Sequence, residues 1–440
     1  MATERTYIDY PLQGSKFNIP VGDLLELDAD EREVFIRAFL NALSKEVEKG
    51  SMALKQRVTF QREIADYRKM LRLPIDYYLL TDNKSKKRNV LAVGAPGQTH
   101  TYRSRTHMWQ MVTKQGSLAE HIAAQNDALL KRLTKLFDPN RRGKEGFRKE
   151  ESLVPPTIYK FMQMNYSVGA AFPPFHARFL VSRFLPKEGK AIVVDPCAGW
   201  GGRMLGTLCA RRADAIRYIG VDPAKRNQDA YEELRGVYFK YLSKENKAER
   251  EADLFYQPFE KWVVRGAAKS LYGKVDLVFT SPPYFDAENY EASNSKQSAN
   301  AFRTYNEWRS GFYIPFIQGA FNLLKVGGYF ILNVADTSSA PHLERDARLI
   351  AKTIGFSNVG YFKLAMPSAP GTKGKAKHQV TVNDAQFKFE PVFVFQKKAE
   401  RSTQAVNFVF PIEAQSAKRT AVPAFSEKAK NLECQDIPPL

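Results

Sequence analysis

The stretch Ile192-Val193-Val194-Asp195-Pro196-Cys197-Ala198-Gly199-Trp200-Gly201-Gly202-Arg203-Met204 runs from an apolar strand into an acid, then a glycine-rich turn, then the start of a helix. Glycines let the backbone approach a ligand closely, and the first turn of a helix offers N–H groups with no intrahelical acceptor. A nucleotide-like cofactor belongs at such a place, the carboxyl end of a strand in an open α/β sheet. The spacing is not Gly-x-Gly-x-x-Gly, which counts against a dinucleotide enzyme. Downstream, Tyr218-Ile219-Gly220-Val221-Asp222-Pro223 is a second strand ending in an acid, 23 residues after Gly199. A carboxylate there can accept both hydroxyls of a ribose. Alone, Asp222 would suit a helix N-cap equally well.

A third segment, Val275-Asp276-Leu277-Val278-Phe279-Thr280-Ser281-Pro282-Pro283-Tyr284, is a strand followed at once by Ser-Pro-Pro-Tyr. Consecutive prolines stiffen the turn. The Ser281 hydroxyl and a rigid carbonyl can accept N–H bonds from a planar amine, while the Tyr284 ring stacks on the base. Taken alone, this is equally a proline-rich turn after a core strand. It gains meaning by following the other two motifs in order.

Around these motifs the pattern alternates. Helices are predicted at 174–185, 201–212, 225–242, 305–324 and 342–353. Strands are predicted at 191–195, 216–221, 252–256, 275–280, 328–334, 357–364 and 391–397. This predicts a parallel-dominated α/β sheet with helices on both faces. The last two strands are expected as an antiparallel hairpin at one sheet edge. Ahead of them, residues 28–72 read as two helices, the second capped by Ser51, and Tyr77–Leu80 and Val90–Val93 as a hairpin with a basic tip. Ser117-Leu118-Ala119-Glu120 is a capping box opening a further helix. The organisation expected is a mainly helical basic domain at 1–150, a catalytic domain at 155–398 and a tail at 399–440 with one docking segment near Phe408–Ile412.

The 440 residues carry 66 Lys and Arg against 47 Asp and Glu, a net charge of +19, which implies a polyanionic partner. Residues 83–149 hold fifteen Lys and Arg against four acids, more than half of that excess. Lys84, Lys86, Lys87, Arg88, Arg103, Arg105, Arg141 and Arg142 are the candidate phosphate contacts, with Tyr102, His107 and Trp109 interleaved for stacking. The loop Pro367–His378 adds Lys373, Lys375 and Lys377 as a phosphate clamp. A solvated basic face is the plain alternative. Three cysteines cannot build a disulfide framework, so a reducing, cytoplasmic compartment is expected. No Cys/His cluster has metal-ligand spacing. No apolar run approaches membrane-spanning length, and the N-terminus lacks the features of a signal peptide.

The ordered set Asp195-Pro196-Cys197-Ala198-Gly199-Trp200-Gly201-Gly202, Asp222 and Ser281-Pro282-Pro283-Tyr284 resembles the class I S-adenosylmethionine-dependent methyltransferases, specifically those acting on exocyclic amines of nucleic-acid bases. Phe172-Pro173-Pro174, Leu324–Phe330 and Phe389–Val394 extend the resemblance over residues 160–397. It implies a Rossmann-like sheet and S-adenosylmethionine as cofactor. Phe172, Pro173, Asp195, Ala198, Gly199 and Gly201 would lie at its methionine end, Asp222 at the ribose, and Gln257 at the adenine amine, where many relatives carry Asp. Ser281, Pro282, Pro283 and Tyr284 would bind the target base. Two hydrogen bonds would hold the amine nitrogen closer to sp³ for direct in-line transfer, with catalysis mostly from positioning. In relatives that attack cytosine C5 the nucleophile is a Pro-Cys. Here the one Pro-Cys, Pro196-Cys197, sits in the cofactor turn, against that chemistry.

Ser281 resembles the form common in cytosine-N4 enzymes, where adenine-N6 enzymes more often have Asp or Asn. The expected partner is duplex DNA with a flipped base. Alternatives are adenine-N6 methylation, an RNA guanine-N2 methyltransferase, and a non-catalytic DNA-binding subunit. The segment from Phe285 to Asn300 is expected as a mobile lid, and Tyr305 and Trp308 as packing residues. With only about 40 residues after the catalytic domain, recognition is expected from the N-terminal 150.

Overall fold

The computed structural model describes residues 19–20, 22, 26–48, 58–112, 116–124, 127–136, 152–153, 170–246, 249–291, 293–366 and 378–400. In chain order the N-terminal elements are β1 (Ile19–Pro20), α1 (Ala29–Glu48), α2 (Phe60–Arg72), β2 (Leu79–Leu80) and β3 (Val90–Leu91). They continue with α3 (Thr101–Trp109), α4 (Leu118–Ala124), α5 (Asp127–Leu136) and β4 (Ser152–Leu153). Then come α6 (Pro174–Phe184), β5 (Lys190–Asp195), α7 (Gly202–Leu208), β6 (Ala215–Val221), α8 (Gln228–Val237) and β7 (Glu249–Phe255). The remainder is β8 (Val275–Thr280), α9 (Ile314–Leu323), β9 (Leu324–Asn333), α10 (Leu343–Ile354), β10 (Phe356–Met366), β11 (Gln379–Val382) and β12 (Ala385–Lys397).

The central sheet has ten strands in the order β2-β3-β10-β12-β9-β8-β5-β6-β7, with β11 paired to β12. β9, β8, β5, β6 and β7 are parallel, while β12 is antiparallel to both β9 and β10. Successive residues of a strand face opposite sides. Val193, Leu277 and Ile331 therefore join one core, with Phe175, Leu205 and Tyr231 of α6, α7 and α8. Their neighbours Val194, Val278, Phe330 and Leu332 join the other, with Phe316 and Ile317 of α9 and Ile350 of α10. β8, in the middle of the parallel run, is buried on both faces and reads Val-Asp-Leu-Val-Phe-Thr with every residue buried, while the edge strand β7 is partly exposed. Its one acid, Asp276, accepts from the Ile192 N–H at 2.8 Å and pairs with Lys325. Tyr305 and Trp308 pack as expected, with Trp308 buried and the Tyr305 hydroxyl donating to Asp346 at 3.0 Å.

Three expectations change. The β10–β12 pair is antiparallel but is not an edge, because β3 lies parallel to β10 and β2 continues beyond it. The sheet therefore takes in residues 79–91, from the stretch read as a separate N-terminal unit. Its seam is held by Lys363 on Asp82 at 2.6 Å and by His176, whose Nε2 lies 2.7 Å from the Ala92 carbonyl. The second helix starts at Phe60 with Thr59 as its cap; Ser51 lies outside the described residues, as do Phe408–Ile412. The capping box holds: Glu120 N–H donates to Ser117 Oγ at 3.0 Å and Ser117 N–H to Glu120 Oε2 at 2.7 Å. Among the described residues no helix is long and apolar enough to cross a membrane, and no group of three or more His, Cys, Asp or Glu is placed to hold a metal ion.

Candidate active site

Strand order reverses between β5 and β8, and the crevice at their carboxyl ends is where α/β sheets bind ligands. The glycine-rich turn after β5 is anchored from beneath. Asp195 is fully buried and paired with Arg203, Nε to Oδ2 at 2.9 Å and Nη2 to Oδ1 at 3.2 Å. It also accepts from the Tyr218 hydroxyl at 3.0 Å and the Cys197 N–H at 3.3 Å. A buried ion pair is tolerable only when its remaining hydrogen-bond capacity is met in this way. Asp195 therefore points into the protein and does not line either cavity of the crevice, contrary to the expectation that it would face the methionine end. Gly201 caps α7 and packs on Leu234 and Tyr231, also off the walls.

Asp222, at the end of β6, faces the crevice. It accepts from the Gly199 N–H at 2.8 Å and the Ala224 N–H at 2.9 Å. Gly199 has φ +63°, a left-handed backbone that suits glycine, and its carbonyl accepts from Asn227 at 3.2 Å and from the Tyr231 hydroxyl. Burial raises the Asp222 carboxyl to about 6, against its two backbone hydrogen bonds. It lines a narrow cavity of about 60 Å³ together with Pro223, Pro258, Phe259, Glu260, Pro283 and the chain 296–299. Gln257 is not on that wall; Pro258 and Phe259 take its place.

A wider cleft of about 750 Å³ adjoins it and brings together Phe172, Pro173, Ala198, Ser281, Pro282 and Tyr284. Gly199, Ser281, Glu288 and Tyr290 line both cavities. Sequence reasoning missed Trp200, Gly202, Glu288, Tyr290, Asn333 and Glu390 on the cleft walls, as well as residues 92–96, Thr99 and Thr101; Tyr102, named as a stacking ring, also lies there. Gly202 is the tightest of these, since a Cβ there would lie 2.2 Å from the Phe172 carbonyl oxygen. The Tyr284 hydroxyl donates to Glu390 Oε2 at 3.0 Å, and the Tyr290 hydroxyl donates to Glu288. Burial raises both carboxyls, Glu288 to about 7.

The segment Phe285–Asn300 crosses the crevice as a strap rather than an open loop. Asn289 bridges to Val112, Asn294 Nδ2 donates to the Pro223 carbonyl at 3.0 Å, and Tyr290 packs on Trp200 with ring centres 5.4 Å apart. Beneath it several buried polar atoms have no protein partner: Glu260 Oε2, Gln297 Nε2 and Ser298 Oγ at the narrow cavity, and Trp200 Nε1 at the cleft. Buried polar groups are normally satisfied, so such a cluster calls for a polar ligand. An acceptor for ribose hydroxyls, backbone at a glycine turn and unsatisfied donors and acceptors match the functional groups of an adenosyl cofactor.

The predicted phosphate contacts divide. Lys84, Lys86, Lys87 and Arg88 lie in the β2–β3 turn, where Arg88 pairs with Asp76 at 2.9 Å. Arg103 is held between Glu63, at 2.6 Å, and Glu233, so it ties α2 to α8. The Arg105 side chain, Arg141, Arg142, Lys373, Lys375 and Lys377 lie outside the described residues.

A family model described as Eco57I restriction-modification methylase matches residues 40–339, 300 of the 440 residues. The chain belongs to the Eco57I restriction-modification methylase family. This Eco57I-family methylase is accordingly an S-adenosylmethionine-dependent methyltransferase with a Rossmann-like sheet, and S-adenosylmethionine is its cofactor. A search of curated proteins gave no significant match. Among solved structures it is similar to a SAM-dependent O-methyltransferase from Thermotoga maritima, at 13% identity over 57% of this chain and 75% of that one, TM-score 0.33. It is also similar to a putative RNA methyltransferase from Pyrococcus horikoshii, at 17% identity over 51% and 81%, TM-score 0.29. A third is a Burkholderia thailandensis 1,6-didemethyltoxoflavin-N1-methyltransferase with bound S-adenosylhomocysteine, at 13% identity over 51% and 79%, TM-score 0.29.

Proposed function

We propose that this methylase modifies an exocyclic base amine in DNA, cytosine N4 in preference to adenine N6, on a base flipped out of the duplex. The observation that carries this reading is the shared wall: Ser281 of the Ser-Pro-Pro-Tyr turn lines both the cavity holding Asp222 and the wider cleft holding Tyr284. Amine grip and cofactor seat are thereby contiguous. The preference for cytosine rests on serine at position 281.

In this reading Asp222 accepts the ribose hydroxyls, while Pro258, Phe259 and Glu260 bound the adenine end. Ala198, Gly199, Phe172 and Pro173 border the methionine end. Bound there, S-adenosylmethionine supplies a methyl group on a sulfonium, open to direct displacement. An exocyclic amine is a poor nucleophile because its lone pair is delocalised into the ring. Ser281 Oγ and the Pro282 carbonyl accept its two N–H groups and fix the direction of that lone pair, so the chain's contribution is largely orientation. Tyr284 stacks on the base, its hydroxyl pinned by Glu390. Asp195 works at one remove, by shaping the turn through Arg203.

The N-terminal 150 residues supply recognition, in part directly, since residues 92–102 form one side of the cleft. Extruding the base costs about a few kcal/mol, which contacts to flanking phosphates from the basic N-terminal region offset. The test is incubation of the full chain with methyl-labelled S-adenosylmethionine and unmodified duplex DNA, followed by digestion and identification of the labelled nucleoside. N4-methylcytosine is the expected product. N6-methyladenine would reverse the base, and absence of label from DNA would overturn the substrate class.

A further inference from the structure

We propose that Glu288 takes the proton released by the target amine as it is methylated, making it a catalytic residue in addition to the Ser281–Tyr284 turn. This inference rests on the amine-methylation reading above. Its basis is position. Glu288 is one of four residues that line both cavities, so its carboxylate stands at the junction where cofactor and base meet. The other three are Gly199, which has no side chain, Ser281, which grips the amine, and Tyr290, which binds Glu288 itself.

Its orientation is fixed. The Tyr290 hydroxyl donates to Oε2, Tyr290 packs edge-to-face against Trp200, and the strap is tied down at Asn289 and Asn294. Among the described residues Glu288 makes no ion pair, so no cation claims the carboxylate. Facing it are Tyr290 and Tyr284 on its own segment and Glu390 from β12. Asp222, just after β6, Glu260 and Lys296 border the narrow cavity that Glu288 also lines. Arg203, a buried cation on the cleft wall, is committed to Asp195.

The chemistry needs such a group. As the nitrogen lone pair forms the N–C bond, the C–S bond breaks and its electrons remain on sulfur. The nitrogen then carries a positive charge that cannot be shared with the ring. With conjugation lost the C–N bond can turn, so one N–H leaves its Ser281 or Pro282 acceptor for the Glu288 carboxylate on the same wall, its proton passes to that carboxylate, and the N–H electron pair restores conjugation with the base. The resulting carboxyl gives the proton to solvent when the strap opens. A protonation midpoint near neutrality, raised by burial and by Glu390, leaves Glu288 ionised in a useful fraction while basic enough to accept.

The test compares full-length wild type with Glu288→Gln and Glu288→Asp. Single-turnover methylation is followed across pH, S-adenosylmethionine binding by calorimetry, and the protonated-carboxyl band by difference infrared titration. The wild-type rate should fall as pH drops below about 7. Glu288→Gln should lose about a hundredfold in rate and lose that pH limb, with cofactor affinity within about twofold and the infrared band absent. Glu288→Asp should restore part of the rate and the limb. A Gln variant that keeps both rate and limb, or a wild-type rate that rises as pH falls, would overturn the role. A wild-type chain that methylates no base amine would instead overturn the underlying reading, while the infrared band would still report whether Glu288 titrates.

Discussion

Asp195 and Asp222 end adjacent strands, and the fold uses them in opposite ways. Asp195 is consumed inside the protein by Arg203 and Tyr218. Arg203→Met should therefore leave a buried, unpaired carboxylate and cost about 3–5 kcal/mol, read as a lower urea midpoint; a loss well under that would mean Tyr218 and the Cys197 N–H suffice. Asp222 keeps lone pairs for a ligand. Hydroxyls that donate to it favour its ionised form, so binding should require deprotonation of a carboxyl that burial has raised to about 6. S-adenosylmethionine affinity should be flat above pH 7 and weaken roughly tenfold per pH unit well below 6. Calorimetry across pH checks this, and an affinity unchanged down to about pH 5 would remove Asp222 from the site. Gly202→Ala should weaken the same affinity more than tenfold, because the new Cβ would meet the Phe172 carbonyl at 2.2 Å. Gly236→Ala, in α8 with nothing within 4 Å, should bind normally and gain about 0.5–1 kcal/mol of stability.

At the level of elements, the strap forms part of the wall of the narrow cavity. Asn294→Ala removes its bonds to the Pro223 carbonyl and to Glu291. Cofactor dissociation in a stopped-flow trap should then speed up several-fold with little change in the methyl-transfer step; an unchanged off-rate would mean that the Val112–Asn289 bridge holds the strap alone. The strap also marks the limit of what local sequence conveys. β5, β6 and β8 were legible because buried parallel strands announce themselves as apolar runs, and the turns after them because glycine and proline restrict the backbone. Ser281 and Tyr284 were found by adjacency to such a strand. Glu390 was not, because its meeting with Tyr284 spans 106 residues and depends on β12 lying beside β9. Glu288 sat in a polar stretch that resembled any solvent loop. Arg103 shows the reverse limit: counting charge says nothing about Glu63 and Glu233 waiting on other helices.

For the whole molecule, the sheet runs across residue 150, since β2 and β3 join it through β10. A chain beginning there would lose β2 and β3 and the cleft wall at 92–102, exposing β10 as an unpaired edge. Such a truncation should aggregate or melt without a cooperative transition, as seen by calorimetry and light scattering; a monomer with a sharp transition would restore an independent catalytic domain. Charge acts at this scale as well. Glu288 and Asp222 both have folded-state values raised above their ordinary ones, to about 7 and about 6. The native state thus binds more protons than the unfolded chain between about pH 4 and 7, so stability from these groups is fully present below about 4 and is lost as pH rises through their folded values. Glu288→Gln should raise the Tm of the cofactor-free chain at about pH 8 and leave it unchanged near pH 4; equal melting at both would mean that Glu288 ionises without penalty. The pairing of Val90 with Lys363 has one more effect, on the timing of synthesis. A ribosome adding about 5–20 residues per second needs roughly 14–55 s to travel between those two positions. For most of that interval the Leu79–Leu91 hairpin is outside the exit tunnel with its partner strand not yet made. The nascent chain must keep it from pairing with a neighbour on the same messenger, and slowing or crowding translation should select against this arrangement before any methyl group is transferred.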